Sequence, residues 1–256
     1  MIELIDTHAH LDQIDNLDDV LKRSFEAGVK TIVAVSSDYN SCNKTLEISK
    51  SKQAKILPAF GIHPWEITAE ATDKCIEFIK ENAKYAIAIG EIGLDYWYKE
   101  VKKDKSKKEI QQDLFKKQLS IAKQYNLPVI IHSRGAWQDC FNLCKENSIK
   151  NAVFHWYSGP IDILKEILNF GYFVSATPAL SYSPQHQEAI RNTPLDSLLI
   201  ETDCPVFYKN QSGEGFNAEP KHVALTLDLV SNIKNLPKAA AAEKMLKNAK
   251  KFFNYN

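Results

Sequence analysis

Five of the seven histidines in this 256-residue chain stand at or just past the ends of short β-branched runs. His8 and His10 follow the first run in D-T-H-A-H, and His63 follows the third in G-I-H-P. His132 ends the fifth in I-H-S-R, and His155 ends the sixth in F-H-W. Two carboxylates join them, Glu91 in G-E-I-G-L-D and Asp203 in E-T-D. Imidazole nitrogen and carboxylate oxygen together suit Zn²⁺, Mn²⁺ and related divalent ions. Residues two apart on a strand face the same side, so His8 and His10 can grip one ion together. A lone H-x-H is weak evidence, because a hydrogen-bonded core histidine is the commoner case. Convergence from six strand ends is stronger, since uncompensated buried charge is costly. His186 and His222 lie in helical segments without such company and are read as surface or core residues.

The elements that must position these groups follow from periodicity. Strands are predicted near Ile2–Asp6, Thr31–Val35, Ile56–Gly61, Tyr85–Gly90, Val129–His132, Ala152–His155, Tyr172–Ser175 and Leu198–Thr202. Their onsets are spaced by roughly 28 residues, one βα unit each. Helical patterns cover Leu17–Ala27, Asp113–Gln124, Ile161–Phe170 and the tail from Pro237 to Phe253, which is expected on the outside of the fold. Continuous apolar strands such as IVAV, VII and LLI suit a parallel sheet covered on both faces. Eight such units predict a single-domain (β/α)₈ TIM barrel over residues 1–256, with the metal site at the C-terminal ends of the strands. A doubly wound open sheet is the alternative, but no G-x-G-x-x-G follows the first strand.

Composition narrows the function classes. Lys+Arg 32 balances Asp+Glu 32, which argues against a generally basic nucleic-acid coat or a membrane-surface protein. No signal peptide is visible and no apolar run approaches a membrane span. Five cysteines without a C-x-x-C pair suit a reducing compartment, so a cytoplasmic location is expected. The one low-complexity stretch, Lys102–Lys108, falls after the fourth strand and reads either as a solvated loop or as a phosphate attractor.

The motifs D-T-H-A-H-L-D, G-I-H-P, G-E-I-G-L-D-Y, I-H-S-R, H-W-Y-S-G and L-I-E-T-D-C-P, in this order, resemble the TatD family of metal-dependent hydrolases. The likeness runs from Ile5 to about Pro220, and six motifs in register are far more specific than any one. It implies an amidohydrolase-like TIM barrel that cleaves phosphodiester bonds of DNA, trimming single strands from the 3′ side. Carried over motif by motif, His8, His10 and Asp203 would hold a first metal, and Glu91 would bridge to a second held by His132 and His155. Two divalent ions per chain, Zn, Mg or Mn, are thus expected. Metal coordination would activate a water. Asp203 would orient it and take its proton, with Glu91 also catalytic. His63 would stand behind the ligands or contact the substrate phosphate.

Substrate contacts are expected from Arg134, Trp65 and Tyr96 besides His63. Trp65, Tyr96, Trp97, Tyr98, Trp156 and Tyr157 crowd the same face, either as stacking platforms for unpaired bases or as packing at the barrel rim. Arg134 can meet a phosphate or pair with a neighbouring carboxylate. Where bacterial members of the family carry a basic residue before N-E-P, this chain reads Glu214-Gly215-Phe216-Asn217-Ala218-Glu219-Pro220. A carboxylate there would repel a phosphate backbone unless it points away. An ester-cleaving deacylase acting on aminoacyl-tRNA therefore stands beside the nuclease as the second reading. A non-catalytic nucleic-acid-binding barrel is the third, with a complete ligand set against it. A single-stranded DNA or tRNA substrate, no membrane, no obligate protein partner and a monomer complete the expectation.

Overall fold

The computed structural model describes residues 2–51, 55–66, 69–209 and 213–255. Eight parallel strands run in chain order around one sheet: β1 (Leu4–Ala9), β2 (Val29–Ala34), β3 (Lys55–Phe60), β4 (Ala88–Gly93), β5 (Val129–His132), β6 (Ala152–Phe154), β7 (Phe173–Ala176) and β8 (Leu198–Ile200). Helices α1 (Leu17–Glu26), α2 (Tyr39–Ile48), α3 (Ala69–Asn82), α4 (Lys99–Lys103), α5 (Ser106–Tyr125), α6 (Trp137–Glu146), α7 (Ile161–Asn169), α8 (Pro184–Asn192), α9 (Val223–Lys234) and α10 (Lys238–Phe253) lie between and after them. This is the (β/α)₈ TIM barrel expected from the strand spacing. A short antiparallel hairpin, β9 (Phe207–Lys209) with β10 (Gly215–Asn217), follows β8.

Side-chain alternation divides the core. Ile5, Val33, Ala59, Ala88, Ile130, Val153, Phe173 and Leu199 point into the barrel, one from each strand, while neighbours such as Leu4, Val129 and Leu198 face the helices. The C-terminal helix closes the bottom. Phe252 and Phe253 of α10 are buried in the inner cluster, and the Phe252 ring lies 5.2 Å from that of Phe173. The tail is therefore no mere outer layer, because its aromatic end fills the barrel floor. Among the described residues no helix is long and apolar enough to cross a membrane. All five cysteines are free and buried.

The seam between β1 and β8 is closed largely at the mouth. Asp203 N donates to His8 O at 2.9 Å, His10 N to Cys204 O at 2.8 Å, and Thr7 Oγ1 to Ile200 O at 2.9 Å. Buried Asp6 accepts from Thr202 N at 2.9 Å and from Thr202 Oγ1 at 2.5 Å. These bonds lock His8 and Asp203 side by side. Asp6→Ala strands three buried donors, His8 N at 3.3 Å being the third, and should lower unfolding stability by about 2–4 kcal/mol, read as a denaturant midpoint, with Asp6→Asn milder.

The loops at the mouth are tied from α5. Gln118 bonds both the N–H and the carbonyl of Ile62, at 2.7 and 3.0 Å, next to His63. Gln111 accepts from Asp95 N at 3.0 Å and donates to Pro64 O at 2.7 Å. The lysine run is mostly helical: it covers the end of α4, the link Asp104–Lys105 and the start of α5, and Lys103 and Lys107 both pair with Glu100.

Candidate metal centre

Glu91 is the hub. It lies within β4, not beyond it, and is 2% exposed. Its two oxygens face different imidazoles. Oε2 is 3.3 Å from His8 Nε2 and 3.2 Å from His10 Nε2. Oε1 is 2.8 Å from both His132 Nδ1 and His155 Nε2, and 3.4 Å from His63 Nε2. Asp203 Oδ1 completes the first lobe, 3.3 Å from His8 Nε2 and 3.5 Å from His10 Nε2. Asp203 takes a left-handed backbone, φ 51°, which turns its carboxylate back over the strand ends.

The spacing fits a cation. In the first lobe the two Nε2 atoms are 3.3 Å apart, and the other recorded separations run from 3.2 to 3.5 Å. For bonds of about 2.0–2.1 Å a tetrahedral ion requires ligand-to-ligand edges of roughly 3.3–3.4 Å. That match belongs to the first lobe; in the second, His155 Nε2 and His132 Nδ1 are 3.4 Å apart, but each is hydrogen-bonded directly to Glu91 Oε1 at 2.8 Å. Ligand-type atoms also cluster within 4.8 Å as His8–His10–Glu91, His63–Glu91–His132 and His8–His155–Glu201.

Electrostatics tell the same story. Burial opposes ionisation of Glu91, yet His155, His63, His8 and the bond from His10 hold it well below the carboxylate range. Burial likewise works against a charged His10, but hydrogen bonds to Asp203 and Glu91 outweigh it and raise His10 to about 10. For His155, Glu91 and Glu201 overcome the same penalty and raise its pKa. The centre is a nest of basic nitrogens held to buried anions, where protons and a divalent cation compete for the same lone pairs.

His63 behaves differently. Burial drives its pKa down to about 4 despite Glu91, so the ring is neutral at pH 7. Its Nδ1 accepts from Trp65 N at 3.2 Å, which leaves the ring proton on Nε2. The inward nitrogen of His63 is therefore a donor.

Outer carboxylates hold the two candidate ligands of the second lobe. His132 Nε2 is held by Asp95 Oδ2 at 3.0 Å and His155 Nδ1 by Glu201 Oε1 at 3.3 Å. Sequence reasoning missed both residues, although Asp95 closes the motif G-E-I-G-L-D and Glu201 stands two before Asp203. Among the described residues His8 and His10 have no such partners, and their Nδ1 atoms are buried without a hydrogen bond. His8 instead stacks on His155 with centroids 4.2 Å apart.

A cleft of about 650 Å³ opens above the hub. His10, His63, Glu91, His132, His155 and Asp203 form its floor, whereas fully buried His8 lies beneath. Of the expected substrate contacts, Arg134 and Trp65 line the cleft. Arg134 forks onto Asp95, with Nη2 2.9 Å from Oδ2. Trp65 donates Nε1 to the same oxygen at 2.7 Å. Tyr96 does not reach the cleft lining: its hydroxyl donates to Asp139 and accepts from Gln112, both at 2.7 Å. Tyr157 is buried with its hydroxyl on Pro160 O. Glu214 is exposed and is not among the described lining residues. His186 is a core residue, donating Nδ1–H to Tyr157 O at 2.7 Å and accepting from Thr177 N.

A parallel barrel whose mouth gathers imidazoles on both oxygens of one glutamate defines a metal-dependent hydrolase. The chain belongs to the TatD-related DNase family, whose model matches residues 5–254. It is 32% identical to an uncharacterized metal-dependent hydrolase, YabD, of Bacillus subtilis strain 168, over 99% of this chain and 100% of that protein. It is 29% identical to the human deoxyribonuclease TATDN3, over 98% of this chain and 95% of that one. Among solved structures, YJJV, a TatD homologue from Escherichia coli K12, superposes with a TM-score of 0.88 at 26% identity, covering 100% and 99% of the two chains.

Proposed function

We propose that this protein is a deoxyribonuclease that removes nucleotides from the 3′ ends of single-stranded DNA, using two divalent ions per chain. The observation that carries the reading is the division of Glu91: Oε2 belongs to the His8–His10–Asp203 lobe and Oε1 to the His132–His155 lobe. His8, His10, Asp203, His132, His155 and Glu91 would hold the ions, which when bound would supply Lewis-acid polarisation of a phosphoryl oxygen and lower the pKa of a bound water.

The chain's own residues supply the rest. Asp203 is kept ionised by His10 and the neighbouring imidazoles, which outweigh its burial, so at neutral pH it orients a water and accepts its proton. His63 Nε2–H donates to a non-bridging phosphate oxygen. Arg134, with its guanidinium anchored on Asp95, presents remaining donors to the phosphate at the rim. Both the 3′ direction and the DNA substrate come from the family resemblance, and the deoxyribonuclease among the relatives supports the substrate alone. Glu214 stands off the lining, so the repulsion expected from the sequence has no described counterpart in the cleft.

The test is cleavage of 3′-labelled and 5′-labelled single-stranded DNA by protein loaded separately with Mg²⁺, Mn²⁺ or Zn²⁺. Progressive shortening is expected, with the two labels giving its direction. Asp203→Ala should slow it by at least about 10²-fold. No cleavage with any of the three metals would overturn DNA hydrolysis, and aminoacyl esters on tRNA would be assayed next.

A further inference from the structure

All four tryptophans of the chain line this one cleft, and two of them form a corner that hydrolysis itself does not use. Trp97, after β4, is 53% exposed. It meets Trp137, the first residue of α6, edge to face, with centroids 5.4 Å apart and planes at 90°. Each indole rests on a glycine. A Cβ on Gly135 would lie 2.5–2.8 Å from atoms of the Trp97 ring, and one on Gly159 would lie 2.6–2.8 Å from Trp137. Real Cβ contacts do not come so close, so any other residue at either seat displaces its indole. Neither ring N–H donates to another described residue, whereas that of Trp65 is committed to Asp95 at 2.7 Å. A half-exposed indole with an unused donor is a surface suited to a flat partner.

The corner is also placed for the chemistry. The end of β5 and the short loop after it carry His132 on Glu91, Arg134 at the rim and Gly135 under Trp97. A ring stacked on Trp97 therefore has the cation and the hub within the same few residues of backbone.

We propose that the Trp97–Trp137 corner is a nucleobase subsite, holding the base of the nucleotide next to the ester that is cut. The position relative to that ester rests on the nuclease reading, while recognition of the ring rests on the corner alone. One indole offers its face and the other its edge, and a sugar phosphate without a base covers neither. Because every base has a π face, the subsite selects base-bearing over abasic ends without reading sequence.

The first measurement is quenching of tryptophan fluorescence by 2′-deoxyadenosine 5′-monophosphate, compared with 2-deoxyribose 5-phosphate. Saturable quenching is expected with the nucleotide only. Trp137→Leu should weaken its affinity about tenfold and Trp137→Phe should restore most of it. Gly159→Ala, which removes no ring, should behave like Trp137→Leu because its methyl group unseats the indole. On single-stranded DNA, Trp137→Leu should raise KM about tenfold with a smaller change in kcat. An oligonucleotide whose 3′-terminal nucleotides lack bases should give the same KM with both proteins. Equal affinity for nucleotide and sugar phosphate would overturn the proposal, as would unchanged nucleotide affinity in a folded Trp137→Leu protein. If the wild-type protein fails to cut DNA, the nuclease reading falls, and the titration still decides the corner: nucleotide-specific quenching lost in Trp137→Leu supports it, and its absence in the wild type refutes it.

Discussion

Glu91→Gln should release metal from both lobes and lower hydrolysis by at least about 10³-fold. Glutamine keeps the shape of the side chain, so loss of fold is not the expected cause. What it removes is the single negative charge shared by five imidazoles, those of His8, His10, His63, His132 and His155. Each lobe loses an anionic oxygen, and one of the two receives an amide N–H₂, which cannot ligate. Elemental analysis of purified protein is the direct readout, with bound metal expected to fall from two ions per chain towards none. Asp203→Asn offers the contrast. Asp203 touches only His8 and His10 in the hub, so its loss should weaken one lobe and leave the other filled. If Glu91→Gln retained two ions per chain, a bridging role for this residue would be wrong.

The barrel was legible because eight apolar runs recur at the spacing of βα units, and β5 falls where its run does, at Val129–His132. The ends of β1 and β4 were less legible, for one physical reason. β1 continues through Thr7, His8 and Ala9, and β4 through Glu91 to Gly93, although polar residues interrupt the apolar pattern there. Those residues are buried, and neighbouring strands still pair beside them, as Gly93 does with His132. A sequence pattern treats a buried polar residue as the end of a strand, whereas the barrel pays for it with other site groups. The ligand-type residues could be read because strand ends share one face. Asp95 could not, since nothing in its spacing shows that it folds back onto His132, Arg134 and Trp65. Trp137 was missed for a similar reason, as its neighbours Trp97 and Gly159 come from different loops. Tyr96 shows the converse: an aromatic placed on the correct face by sequence turns its hydroxyl to Asp139 and Gln112.

Asp95 carries the second large effect. Its carboxylate is fully buried. It accepts from Trp65 Nε1 at 2.7 Å, Trp97 N at 3.0 Å and Arg134 Nη2 at 2.9 Å, with His132 Nε2 at 3.0 Å. Burial would favour the neutral acid, but His132, Arg134 and Trp65 together hold its pKa well below the ordinary range. Asp95→Ala leaves these donors without their anion and should cost about 3–5 kcal/mol of unfolding stability, measured by denaturant titration. Asp95→Asn is more informative. It fills the same volume, yet its amide group turns donors towards donors and leaves the Arg134 charge without its partner. A purely structural role would appear as a lower midpoint alone. A role in aiming His132 predicts in addition a 10–100-fold weaker metal affinity in the His132–His155 lobe, with the His8–His10 lobe unchanged. Competition with a chromophoric chelator separates the two outcomes. Equal weakening of both lobes, or of neither, would mean that the Asp95–His132 contact does not set the ligand's orientation.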